Sequence, residues 1–135
     1  MPTRVDITDP SASMDHAFGI TRREVDARTS VIAVDGDLDL STAPQLKWML
    51  VDSLDAGQLQ LVLDLSQTSF MDSTALGVLI GVNRSLKPGS RLAIVCPRTK
   101  VLKIFELSGM DGAFSVFDTL EDGLAYVQGR SSAEA

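Results

Sequence analysis

The chain has 135 residues, enough for one domain with a real core. Apolar residues make up 44% and charged residues 22%, an ordinary composition for a globular chain, and no apolar run approaches the length that spans a bilayer. Eighteen acidic side chains against 12 basic ones give a formal charge of -6, which disfavours nucleic acid and anionic membranes as partners and suits a basic protein surface.

Residues 1–17 carry neither a helical nor a strand period and read as a mobile tail. The start, MPTRVDITDPS, lacks the apolar region of a secretory signal, so cytoplasmic residence is expected. His16, the single histidine, has no second ligand or nucleophile near it and reads as a polar residue. The domain is expected over 18–128, with a small-residue polar tail over 129–135.

Phe18, Ile20 and Arg22 alternate with Gly19 and Thr21, which predicts an edge strand. Asp26 to Thr29 makes a turn, and Ser30 to Asp35 is β-branched and apolar, a second strand. Gly36 to Leu40 reads as a loop. Thr42 is then a good N-cap, with Pro44 suited to a first turn. The helix that follows runs to about Leu54, with Leu46, Met49, Leu50 and Leu54 on one stripe and Trp48 roughly opposite. Asp55-Ala56-Gly57 ends it.

Leu59 to Leu65 is apolar on nearly every residue, as expected of a strand buried on both faces in the middle of an α/β sheet. Ser66 to Ser69 reads as a polar turn. Asp72-Ser73-Thr74 opens a second helix with Leu76, Leu79, Ile80 and Asn83 on one stripe. Its Gly77 and Gly81, one turn apart, allow close packing on their side. Ser73 thus stands at a helix start beyond the carboxyl end of a central strand, where open α/β sheets place their binding sites. From these residues alone, Ser73 is most simply an N-cap.

Lys87-Pro88-Gly89 is a turn, and Arg91 to Cys96 a fourth strand in which Cys96 reads as an inert buried thiol. With one cysteine, an internal disulfide and a cysteine-based zinc cluster are excluded. Pro97 and Thr99 open a third helix that Gly109 stops. Phe114 to Phe117 is a short strand. Thr119 to Asp122 forms a capping box for a last helix with Leu124, Ala125 and Val127 inward.

The stretch DLSQTSFMDSTALGVLIG resembles the signature of STAS domains, in particular of bacterial anti-sigma factor antagonists. The resemblance extends, in order and at the family's spacing, over GDLDLSTAPQL (Gly36 to Leu46) and VLKIFELSGM (Val101 to Met110), and covers Phe18 to Val127. Ala75 departs from it, since the family usually has Gly there. The resemblance implies an α/β fold, a mostly parallel mixed sheet of about five strands with four helices. It implies that Ser73, the serine after the Asp of the "MDS(S/T)GLG" motif, is the phosphoacceptor for a partner anti-sigma kinase, with Thr74 as the rival hydroxyl. It also implies a partner-binding surface of Asp37, Asp39, Leu40, Ser41, Thr42, Asp72, Thr74 and Leu76. Trp48, on the helix that follows that loop, reads from its outward position either as a side chain lying over its neighbours or as an interface anchor at the edge of that surface. The unmodified chain would bind the anti-sigma factor and free a sigma factor; the phosphorylated chain would let go. ATP and Mg²⁺ would belong to the kinase, and a phosphoserine phosphatase would reset the switch; no cofactor or metal is expected on this chain.

Other readings stay open beside it. One is a STAS module that binds a small ligand or nucleotide, or sits in a transport or stress complex, without a phospho-switch. The other is an enzyme in its own right. For the latter the usual parts are missing: there is no phosphate-binding loop, dinucleotide fingerprint, zinc spacing or serine–histidine pairing. Asp37, Asp39, Asp64 and Asp72 each read as a loop acid or cap before they read as metal ligands.

Overall fold

A computed structural model describes residues 18–96, Lys103 and 114–129. Five strands form one sheet in chain order: β1 (Gly19–Glu24), β2 (Thr29–Leu38), β3 (Gln60–Met71), β4 (Arg91–Val95) and β5 (Ser115–Phe117). β1 and β2 are an antiparallel hairpin, and every later pairing is parallel. Three helices are described: α1 (Ala43–Asp55), α2 (Ser73–Arg84) and α3 (Leu120–Val127). The helix expected from Pro97 to Gly109 lies outside the described residues except for Lys103, which is helical. The N-terminal segment, and the C-terminal one beyond Gly129, lie outside them too.

Strand alternation divides the core between the two faces of the sheet. Ile32, Leu61, Leu63, Leu65, Leu92 and Ile94 face α1 and α2, which contribute Leu46, Leu50, Leu76 and Leu79. Val31, Val62, Ala93 and Val95 point the other way and meet Val127 of α3. The small side chains belong to the second face, and there α3 comes very close. A Cβ on its Gly123 would lie 2.9 Å from Val95 Cγ2. Thr119 caps α3 as expected, accepting the Asp122 N–H at 3.1 Å.

Side chains tie the polar ends of the strands together. Ser30 Oγ donates to Gln58 Oε1 at 2.7 Å, and Gln58 Nε2 donates to the Ala27 carbonyl at 2.8 Å. Arg22 bridges β1 to α1 through Asp52 at 3.1 Å and Ser53 Oγ at 2.9 Å. Ordinary buried polar groups are thereby satisfied in place.

Two sequence expectations change. Ser66 to Ser69 is no turn, because β3 runs unbroken for 12 residues from Gln60 to Met71. Nor is Gly36 to Leu40 wholly a loop, since β2 continues to Leu38. The cause is a pair of β-bulges. From Ala33 to Asp35 and again from Gly36 to Asp37, β3 carries one residue more than β2 opposite it. The bulges break the alternation that marks a strand, yet the polar segment stays anchored. Thr68 is buried and donates its hydroxyl to the Val34 carbonyl at 3.1 Å. Gly36, at φ 107°, holds a left-handed conformation between the two bulges that a side chain would strain. β4 pairs with β3 only over Gln60 to Asp64, so among the described residues β2 and β3 project beyond it as a two-stranded ribbon. The ribbon ends at the candidate site.

Candidate functional site

The tip of the ribbon joins two segments distant in sequence. Asp37 pairs with Phe70 and Leu38 with Met71, and the Asp72 N–H donates to the Leu38 carbonyl at 3.0 Å. Everything after Met71 and everything after Leu38 therefore departs from the same edge. Three acidic residues, Asp37, Asp39 and Asp72, lie on the segments that meet there.

On the β3 side, Asp72 is the N-cap of α2. Its extended backbone (φ -105°, ψ -178°) aims the carboxylate back at the helix, where Oδ1 accepts the N–H groups of Thr74 at 2.9 Å and Ala75 at 3.1 Å. Ser73 is the first helical residue and is exposed. This corrects the reading of Ser73 as the cap: the neighbouring carboxylate has that role, so the serine hydroxyl is not needed to start the helix. Thr74 is half-buried. Ala75 is fully buried, which explains why a residue as small as Ala takes the place of Gly there.

On the β2 side, Asp39 to Thr42 is the true loop. Asp39 Oδ1 accepts the Ser41 hydroxyl at 2.7 Å, the Ser41 N–H at 2.9 Å and the Thr42 N–H at 3.2 Å. The Ser41 hydroxyl, followed by those two N–H groups, holds the Asp39 carboxyl below the usual carboxylate range despite some desolvation. Thr42 does precede α1, but its side chain makes no cap. Its hydroxyl accepts the Asp39 N–H and donates to the Asp37 carbonyl, both at 2.8 Å, bracing the loop instead. Only 9% exposed, Thr42 acts from inside the loop, while Ser41 is exposed.

The apolar residues sort differently from expectation. Leu76, expected on the partner surface, is only 7% exposed and belongs to the core. Leu40 is 74% exposed at the tip of the loop. Phe70, which sequence reasoning passed over, is 47% exposed on the ribbon beside Asp37. The signal for it was alternation: Met71 points into the core, so its predecessor points out. Trp48 is 63% exposed and lies about a turn and a half into α1.

Between α1 and α2 runs a groove of about 440 Å³ lined by residues that include Lys47, Val51, Thr74, Gly77 and Gly81. The two glycines therefore do not receive a close-packed neighbour. A Cβ on either would meet nothing within 4 Å.

Similarity to known proteins runs through the same elements. A putative anti-sigma factor antagonist of Thermotoga neapolitana is 31% identical over 62% of this chain and 75% of its own length. The anti-sigma-F factor antagonist RsfB of Mycobacterium tuberculosis is 28% identical over 74% of this chain and 82% of its own. The crystal structure of an anti-sigma factor antagonist from Mycobacterium paratuberculosis superposes with a TM-score of 0.77 at 26% identity, covering 83% of this chain and 95% of that one. Residues 21–123 match the STAS domain family. That span runs from the hairpin through Ser73 and the helix that Asp72 caps into α3, and the chain belongs to the STAS domain family.

Proposed function

We propose that this chain is an anti-sigma factor antagonist whose binding is switched off by phosphorylation of Ser73. One observation carries the reading. An exposed serine that the fold does not need for capping stands beside a carboxylate that the fold does need. The hydroxyl is open to a kinase, and a phosphate on it adds about -1.5 to -2 charges next to Asp72 and near Asp37 and Asp39.

The contact surface is the tip of the ribbon. Leu40 and Phe70 supply exposed apolar area, and Asp37, Asp39, Ser41, Asp72 and Thr74 supply the polar frame. Thr42 contributes by holding the loop. The partner is an anti-sigma factor with serine kinase activity, with basic groups facing the carboxylates. A dianion introduced at Ser73 has to be desolvated against three acids, which opposes re-docking without any need to unfold the domain. The N–H groups of Thr74 and Ala75 are already taken by Asp72, so the helix start gives the phosphate little compensation. In this reading the chain binds and does not catalyse. ATP and Mg²⁺ belong to the kinase, a phosphoserine phosphatase resets the switch, and the setting is cytoplasmic. No helix among the described residues is long and apolar enough to cross a membrane.

Incubation of the purified chain with a candidate anti-sigma kinase and ATP, followed by peptide mass spectrometry, tests the site. Phosphate on Ser73, lost in Ser73→Ala, is the expected result. Phosphate on Thr74 in the Ser73→Ala variant, with normal release of the partner, overturns the assignment.

A further inference from the structure

A shallow groove of about 370 Å³ follows the outward face of α1, lined by Pro44, Lys47, Trp48, Val51, Asp52 and Asp55. These residues recur at helical spacing over three turns, so they form one stripe along the whole helix. At its centre are two exposed apolar side chains, Trp48 at 63% and Val51 at 38%. Among the described residues nothing covers them.

The charges on this stripe are misplaced for α1 itself. The first turn has no acid and the last turn no base. Instead Lys47 lies toward the N-terminal end, and Asp52 and Asp55 crowd the C-terminal end, where the helix dipole disfavours them. Lys47 and Asp55 have no hydrogen-bond or ion-pair partner among the described residues. Asp52 binds Arg22 through Oδ2 only and remains 43% exposed, so Oδ1 is open to a second cation.

An antiparallel copy of the same helix reverses each of these faults. With the two-fold axis between Trp48 and Val51, Lys47 faces Asp52 of the partner subunit and Trp48 faces Val51 of the partner subunit. Asp55 reaches the positive end of the opposing α1, at Pro44 of the partner subunit. All six lining residues then fall into reciprocal pairs, the self-complementarity an isologous two-fold contact requires. Antiparallel helices also align their dipoles favourably.

We propose that the outward face of α1 is a self-association surface, through which two copies of this chain pair antiparallel about Trp48. This goes beyond the switch at Ser73 and gives Trp48 a different occupant from the anti-sigma partner.

The test is sedimentation velocity on the full chain over a concentration series, with melting curves to show that each variant folds. The wild-type mass should rise from 14.5 kDa toward twice that value. Trp48→Ala should stay at the monomer mass and still melt cooperatively, at the temperature the wild type shows when dilute enough to be monomeric. Lys47→Glu sets two acids against each other, and Asp52→Lys two bases, so each alone should be monomeric. An equimolar mixture of these two variants restores both ion pairs and should form a heterodimer. A wild-type chain that stays monomeric throughout overturns the proposal. So does a wild-type dimer that Trp48→Ala leaves intact. A monomeric wild type whose affinity for the anti-sigma factor falls on Trp48→Ala would give the groove to that partner instead.

Discussion

The Asp72 N–H donates to the Leu38 carbonyl at 3.0 Å, fastening the start of α2 to the end of β2. This bond sits between two side-chain clusters: Asp72 with Thr74 and Ala75 on one side, Asp39 with Ser41 and Thr42 on the other. A charge placed on Ser73 is therefore added beside an edge whose acidic residues are fixed by hydrogen bonds.

The cap is the first thing to remove. Asp72→Ala leaves the N–H groups of Thr74 and Ala75 without an acceptor, and loss of an N-cap costs about 1 kcal/mol. The urea midpoint should fall accordingly, while Asp72→Asn, which keeps an acceptor, should lose less. Equal stability of all three proteins would mean that the helix start is held some other way.

Gly123 shows which of two opposed effects wins. Alanine favours a helix over glycine by about 1 kcal/mol. At Gly123, however, its Cβ would lie 2.9 Å from Val95 Cγ2 and 3.5 Å from Val62 Cγ1, both on buried, β-branched residues of the sheet. Overpacking costs about 1–3 kcal/mol, so the clash should prevail. Gly123→Ala should lower the denaturation midpoint, and a rise would show that α3 can back away from the sheet.

Asp39 gives the loop a pH dependence. Its carboxyl is held below the usual range chiefly by the Ser41 hydroxyl, so it stays ionised longer in the folded chain than in the unfolded one. Its contribution is present above the unfolded value and is lost as pH falls through the folded value. An NMR titration should show Asp39 protonating at lower pH than an ordinary exposed aspartate, with the Ser41 and Thr42 amide signals moving in step. Asp39→Asn should abolish that step. An Asp39 titrating at or above an ordinary exposed aspartate would contradict the hydrogen bonding described.

Much of this was legible in the residues, and the exceptions have physical reasons. Burial of β3 on both faces followed from its leucines and Val62, and the outward Trp48 from helical spacing. The polar half of β3 was not legible, because two bulges shift the alternation and Thr68 is satisfied by a carbonyl of the next strand. Ser73 and Asp72 are both good capping residues. Which of them caps depends on where the strand lets go, a property of the pairing with Leu38. Gly77 and Gly81 suggested a close neighbour, but local sequence does not say whether a helix face meets another element. Gly123, the glycine where packing is tight, lies in a helix whose inward stripe was legible, but the stripe does not say how closely the helix sits on the sheet.

The most direct test of the proposed switch is the affinity of the anti-sigma factor for two forms of the same protein, unmodified and stoichiometrically phosphorylated on Ser73, measured side by side by titration calorimetry. A loss on the order of 3 kcal/mol is expected, which weakens Kd about a hundredfold. Far-UV circular dichroism of the two forms should be alike, and Ser73→Ala should bind like the unmodified chain. Equal affinity of the phosphorylated and unmodified forms would contradict the account.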